Sequence, residues 1–152
     1  MVIDVRAYME KYTVFACVKE DIERIVAIEP APWNSHVLRA NVRLNQCESK
    51  VDVFDEAIAL VRGELTLYIP YDGERLSLGG ATSKPKRGDI YREIYVRAEP
   101  LDDIVQRLGI ERIDFLKIDI EGYVSEALPG IIETMKRTRF LMIELWRRDL
   151  LV

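Results

Sequence analysis

Between Arg24 and Glu29 the chain reads Ile-Val-Ala-Ile, an unbroken apolar run. A strand with one wet face alternates apolar and polar residues. This one does not, so both of its faces must be covered, as in a parallel sheet flanked by helices. Such a sheet needs helical crossovers between its strands, and the rest of the sequence supplies them.

Val2 to Val5 reads as a first strand. A helix is expected over residues 7–19, where Tyr8, Met9, Tyr12, Phe15 and Ala16 fall at helical spacings. Pro30 and Pro32 break the chain after the second strand. Ser35 is a candidate cap for a helix carrying Val37, Leu38 and Val42 and ended by Asn45. Val51 to Phe54 makes a third strand. Residues 64–69 then alternate, as a half-exposed strand does, and residues 91–96 are its expected hairpin partner. The glycine-rich stretch between them, residues 71–90, is expected to be a flexible loop.

Leu101, Ile104, Val105 and Leu108 lie on one helical face, closed by Gly109. Phe115 to Ile120 reads as a strand. A short helical face at Val124, Ala127 and Leu128 is interrupted by Pro129-Gly130, and Ile131 to Lys136 resumes it. Arg139 to Leu145 is the last strand. The alternation specifies an α/β fold.

With 152 residues, 49% of them hydrophobic, the chain is expected to form one domain with its own core. The formal net charge is -4, from 22 basic and 26 acidic residues. No basic run or arm points to nucleic acid. Lys84-Pro-Lys-Arg87 reads as a solvated loop. Cys17 and Cys47 are too few for a disulfide scaffold. Cys17 is expected to be buried in an apolar helix, Cys47 to lie near the surface, and neither has a partner at metal-ligand spacing. No apolar run reaches the length of a membrane span, and no signal peptide is expected. A reducing cytoplasm is the expected compartment.

Three groups of segments resemble the FkbM-type family of S-adenosylmethionine-dependent methyltransferases. The first is Val2-Ile-Asp-Val-Arg-Ala-Tyr-Met-Glu-Lys-Tyr-Thr13. The second is Val26-Ala-Ile-Glu-Pro30, followed by Leu38-Arg-Ala-Asn-Val-Arg-Leu-Asn45. The third is Leu101-Asp-Asp103, Phe115-Leu-Lys-Ile-Asp-Ile-Glu-Gly122, Leu128-Pro-Gly130 and Ile143-Glu144. The resemblance implies a Rossmann-like class I methyltransferase fold with sheet order 3-2-1-4-5, normally continued by two further strands. It also implies O-methylation of a small hydroxyl-bearing molecule with S-adenosylmethionine as cofactor.

On this resemblance, Asp4 and the turn after it would hold the amino-acid end of the cofactor, and Glu29 would accept from the ribose hydroxyls. Asp55 or Glu56, at the end of the third strand, would contact the adenine amino group. The pattern has glycines where this chain carries Arg6 and Glu10. Glycine there permits a tight turn and close approach of the cofactor to the backbone. Arg6 either obstructs that space or binds the methionine carboxylate itself. Glu10 brings a like charge towards that carboxylate.

Ligands of parallel α/β sheets bind beyond the carboxyl ends of the strands, where the strand order reverses. Lys117, Asp119 and Glu121 share one face if their strand runs far enough. Asp119 is the candidate general base for a hydroxyl nucleophile. Glu121 assists it, orients substrate or a divalent metal, or simply caps the next helix. Lys117 is a catalytic candidate or an ion-pair partner of Asp119. Glu144 is a candidate substrate contact. Trp33 covers the adenine or packs the sheet edge, and His36 has no triad partner in sequence.

Two function classes remain: an O-methyltransferase, or a non-catalytic protein of the same fold acting as a binding or assembly module. A nicotinamide-dependent oxidoreductase would need a glycine-rich turn that is absent. Strands six and seven are not expected after the fifth strand. A homodimer covering the edge at residues 139–152 is therefore expected.

Overall fold

The computed structural model describes residues 1–9, 11–77, 80–85 and 88–146. Its main sheet has five parallel strands: β1 (Val2–Val5), β2 (Ile25–Ile28), β3 (Val51–Phe54), β7 (Ile113–Ile118) and β8 (Thr138–Ile143). Their spatial order is β3-β2-β1-β7-β8, the expected 3-2-1-4-5. A second sheet of order β4-β6-β5 contains the expected hairpin, β5 (Gly63–Pro70) with β6 (Tyr91–Glu99), paired antiparallel. Its third strand, β4 (Ala57–Ile58), pairs parallel with β6. At two residues it is too short to carry a pattern in sequence.

The apolar runs divide their residues between two cores. In β2, Val26 and Ile28 face one core with Ile3, Leu116 and Ile118. That core is closed by Leu101, Ile104 and Val105 of α3 (Leu101–Arg107). Ile25 and Ala27 face the other, against Ala16 of α1 (Lys11–Cys17) and Leu38 and Val42 of α2 (Pro32–Leu44). A strand clothed on both faces gains nothing from a polar alternate position, which is why none is present.

Four expectations need correction. The first helix begins at Lys11, because Arg6 and Tyr8 take positive φ, 62° and 57°, and a turn occupies the start of the expected helix. The second helix begins at Pro32 with Ala31 as N-cap. Ser35 lies inside it, and its hydroxyl donates to Asp55. The strand before Asp119 ends at Ile118. Cys47 is buried and forms a disulfide with Cys17, Cα to Cα 6.0 Å. The turn after α2, where Cys47 N–H donates to the Val42 carbonyl, carries Cys47 inward to the end of α1.

The helical stretch before β8 is two short helices, α4 (Val124–Ala127) and α5 (Ile132–Lys136), joined by a 3-10 turn over Leu128–Gly130. A Cβ on Gly130 would lie 2.8 Å from the Ala59 carbonyl oxygen and 3.1 Å from Pro100 Cβ. Close backbone approach fixes glycine at that position. At the far edge, Phe140, Leu141 and Met142 of β8 are exposed, and no described strand pairs with β8 on its outer side. No helix among the described residues is long and apolar enough to cross a membrane.

Candidate active site at the strand ends

Parallel strands deliver their carboxyl ends to one side of the sheet. Arg6 follows β1, Glu29 follows β2, Asp55 and Glu56 follow β3, Asp119 follows β7 and Glu144 follows β8. Over the ends of β1 and β2, beside the reversal between β1 and β7, lies a cavity of about 40 Å³ lined by Arg6, Glu29, Glu56, Ser83, Ile120 and Tyr123, among others. Leu65 and Leu67 of β5 form part of its wall. The second sheet therefore roofs the site.

Three backbone donors of the β1–α1 turn are tied to β2 and the residue after it. Arg6 and Ala7 N–H groups donate to the Ile28 carbonyl at 2.8 and 3.0 Å. Tyr8 N–H donates to Glu29 Oε2 at 2.8 Å. The left-handed region costs a residue with a side chain roughly 1–2 kcal/mol, so these bonds must over-determine the turn at Arg6 and Tyr8. The backbone keeps a glycine-like shape at position 6 without the glycine.

Glu29 is buried, and its Oε1 accepts from Ala31 N–H at 3.0 Å and Asn34 Nδ2 at 3.2 Å. Burial raises its pKa, while these amides and Arg6 pull the other way. A carboxylate offers about four acceptor positions. With three in use, Glu29 could take about one more donor, where the sequence suggested both ribose hydroxyls. Glu56 Oε2 and Ser83 Oγ are buried and have no hydrogen-bond partner among the described residues. Burial, then the nearby Glu99 charge, raises the Glu56 pKa. Asp55 points elsewhere, into an ion pair with Arg39 at 2.9 Å.

Asp4 lies beneath the turn and does not line the cavity. It is fully buried, its Oδ2 accepts from Thr13 Oγ1 at 2.8 Å, and its Oδ1 lies 3.2 Å from Lys117 Nζ. Lys117 is itself buried.

Although β7 stops short of them, Asp119 and Glu121 still converge. Glu121 takes φ 51° and Gly122 φ 71°, so the chain folds back at the strand end. Arg6 Nη1 lies 2.6 Å from Glu121 Oε1 and 3.5 Å from Asp119 Oδ1. Its Nη2 donates to the Ala81 carbonyl at 3.0 Å. The contact with Asp119 is the longer of the two. Glu10 lies outside the described residues. One carboxylate oxygen each from Asp119, Glu121 and Glu144 fall within 4.8 Å of one another. A divalent cation could bridge that spacing, but Arg6 already sets a guanidinium against two of the three.

Glu144 is exposed. A hydrogen bond with Asp119 first, then burial and the Asp119 and Glu121 charges, push its pKa up to about 7. Asp119 Oδ1 is buried without a hydrogen-bond donor, and a proton on Glu144 would supply one.

Sequence reasoning missed Asn34, Ser83 and Tyr123. Ser83 sits in the loop between β5 and β6, where no periodicity marks a position. Its neighbour Lys84 pairs with Glu126 rather than standing in solvent. Trp33 does not line the cavity. His36 is exposed and borders an open groove of about 650 Å³ with Arg39, Tyr95 and Arg97.

Residues 4–148 match the sequence profile described as the Methyltransferase FkbM domain. The chain belongs to the FkbM methyltransferase family. It is 26% identical over 171 residues to the methyltransferase sdnD of Sordaria araneosa, covering 95% of this chain and 66% of that relative. The chain thus spans less than two thirds of that relative's length. The crystal structure of methyltransferase FkbM from Methylobacillus flagellatus KT superposes with a TM-score of 0.62 at 20% identity. That match covers 93% of this chain and 32% of the other, and it establishes the shared fold.

Proposed function

We propose that this domain binds S-adenosylmethionine at the β1–β2 strand ends and methylates the hydroxyl of a small molecule. The observation that carries the reading is a cavity lined by the strand-end carboxylates Glu29 and Glu56, with Asp119, Glu121 and Glu144 clustered on the far side of Arg6, in a sheet belonging to a methyltransferase family. Glu29 would take a ribose hydroxyl. The unpartnered Glu56 Oε2 and Ser83 Oγ suit the polar edge of a nucleobase. Asp4 would act from beneath the turn. When bound, S-adenosylmethionine supplies an electrophilic methyl group.

Asp119 and Glu144 form a carboxylate pair positioned to take the hydroxyl proton. Arg6 and Glu121 would line the acceptor's approach. Glu144 borders the substrate side.

A specific observation favours the second reading, a non-catalytic module. A cavity of about 40 Å³ is far below the roughly 300–1,000 Å³ of ordinary small-molecule pockets. Arg6 closes it by joining the turn to Glu121 and to Ala81. On the methyltransferase reading, residues 81–83 must shift to admit cofactor.

Calorimetric titration with S-adenosylmethionine separates the two. Binding by the unaltered protein supports the enzyme reading. Binding that appears only in an Arg6→Gly, Glu10→Gly double variant supports a site closed in this chain. No binding by either sinks both the cofactor and the enzyme. We further propose a homodimer through the exposed β8 edge, and a monomer mass in light scattering would refute it.

A further inference from the structure

We propose that Lys117 is a positioning residue: its buried ammonium holds the β1–α1 turn in a glycine-like shape and so sets the wall of the candidate cofactor cavity. The inference rests on the methyltransferase reading of that cavity. It assigns Lys117 a place behind the turn, away from the reacting atoms.

The parallel register sets Lys117 beside Asp4. In that position Nζ donates to the Arg6 carbonyl at 2.9 Å and to the Val5 carbonyl at 3.4 Å. Asp4 Oδ1 is nearly as close, at 3.2 Å, yet that contact lacks hydrogen-bond geometry and Oδ1 has no donor. Its hydrogen bonds therefore go to the turn, with Asp4 serving as the counter-charge. Asp119 Oδ2 lies farther off, at 3.7 Å. The Tyr12 ring closes another side, 5.2 Å from Nζ. Lys117 does not line the cavity, so a substrate there would meet the turn and not the ammonium.

The turn's own bonding shows why a cation is needed. Its amides are used by Ile28 and Glu29. The carbonyls of residues 5 and 6 meet Lys117 at a buried and a part-buried position, where an unpaired acceptor is costly. One ammonium satisfies both. It also sets a counter-charge 3.2 Å from the fully buried Asp4 carboxylate.

The test separates holding the turn from neutralising Asp4. Lys117→Met alone leaves Asp4 buried without its cation, so it destabilises for either reason. The double variant Asp4→Asn, Lys117→Met removes both charges, and the new amide can still accept from Thr13. We expect its melting temperature to return towards that of the unaltered protein. Amide exchange at Arg6, Ala7 and Tyr8 should nevertheless stay faster by about tenfold or more, since tenfold is roughly the factor for one of the two charge-assisted hydrogen bonds lost. Full protection of these amides in the double variant would overturn the proposal.

In the unaltered protein, the Lys117 ammonium protons should exchange slowly and show a through-bond coupling to the Arg6 carbonyl carbon. Rapid exchange with no coupling would also overturn it. S-adenosylmethionine titration keeps the two readings apart. No binding by the unaltered protein sinks the methyltransferase reading, and the role in shaping a cofactor wall falls with it. Binding that survives undiminished in a double variant with a loosened turn sinks the positioning role alone.

Discussion

Glu29 and Glu144 each follow a parallel strand of the same sheet, and both have raised pKa values, but the causes differ. Glu29 is buried, and burial is the main cause, opposed by the amides that hold it. Glu144 is exposed, and its shift to about 7 comes chiefly from Asp119 beside it. A carboxylate tied to three donors is a fixed acceptor. A carboxylate beside another carboxylate is a place for a proton. The first suits a ligand that must be held, the second a step in which a proton must move.

The sharpest way to break this contrast is to remove each side chain in turn. Glu29→Ala would strand the donors of Tyr8, Ala31 and Asn34. Each buried unsatisfied group costs about 1–3 kcal/mol. We expect a loss of roughly 3 kcal/mol or more in urea unfolding. Glu144→Ala should change stability at pH 7 by about 0.5 kcal/mol or less, as exposed positions do. Similar losses at both sites would erase the distinction.

The two regions were unequally legible in the sequence. β2 could be read because an unbroken apolar run suits a strand covered on both faces, whereas Glu29 at its end admitted either a ligand contact or an exposed carboxylate. The main sheet order followed from the strand–helix rhythm and the family resemblance together. The convergence of Asp119, Glu121 and Glu144 was only half legible. Alternation along a strand suggested it, yet the strand stops at Ile118 and a left-handed residue at Glu121 restores the meeting. Such a φ cannot be foreseen at a glutamate, because the reward for it is the distant ion pair with Arg6. The turn at Arg6 and Tyr8 shortened the expected first helix for the same kind of reason: contacts from β2 and β7 outweighed local spacing. Cys17 and Cys47, 30 residues apart, are joined by tertiary packing that no local pattern records.

Arg6→Gly sharpens the comparison, since Arg6 lowers the pKa of both glutamates. The substitution relieves the left-handed strain, roughly 1–2 kcal/mol, and removes the cation set against Glu121 and Asp119. At pH 5 these effects should largely offset, leaving a net change within about 1 kcal/mol. As the pH rises, ionisation of Glu144 without the nearby Arg6 charge should make the variant progressively less stable than the unaltered protein. A carboxyl-carbon NMR titration should show Glu144 moving further upward. An unmoved Glu144 would mean that Arg6 does not feel the proton of the Asp119–Glu144 pair.

The smallest effect is the pH dependence of Glu144 itself. Its value is about 7 in the folded protein against 4.5 for the ordinary group. Between these values the folded state binds more protons than the unfolded state, so stability falls as pH rises. The contribution is full below about 4.5, is lost through about 7 and does not change above that. Because Glu144 is exposed, solvent screening should hold the loss under about 1 kcal/mol. Glu144→Gln keeps the shape and removes the titration. Urea midpoints taken from pH 5 to pH 8, a span bracketing the printed value, should decline less steeply in the variant. Part of the slope should remain, because Glu29 is raised as well and acts in the same direction. Identical slopes in the two proteins would place the neutral-range proton elsewhere and leave Asp119 without the partner proposed for it.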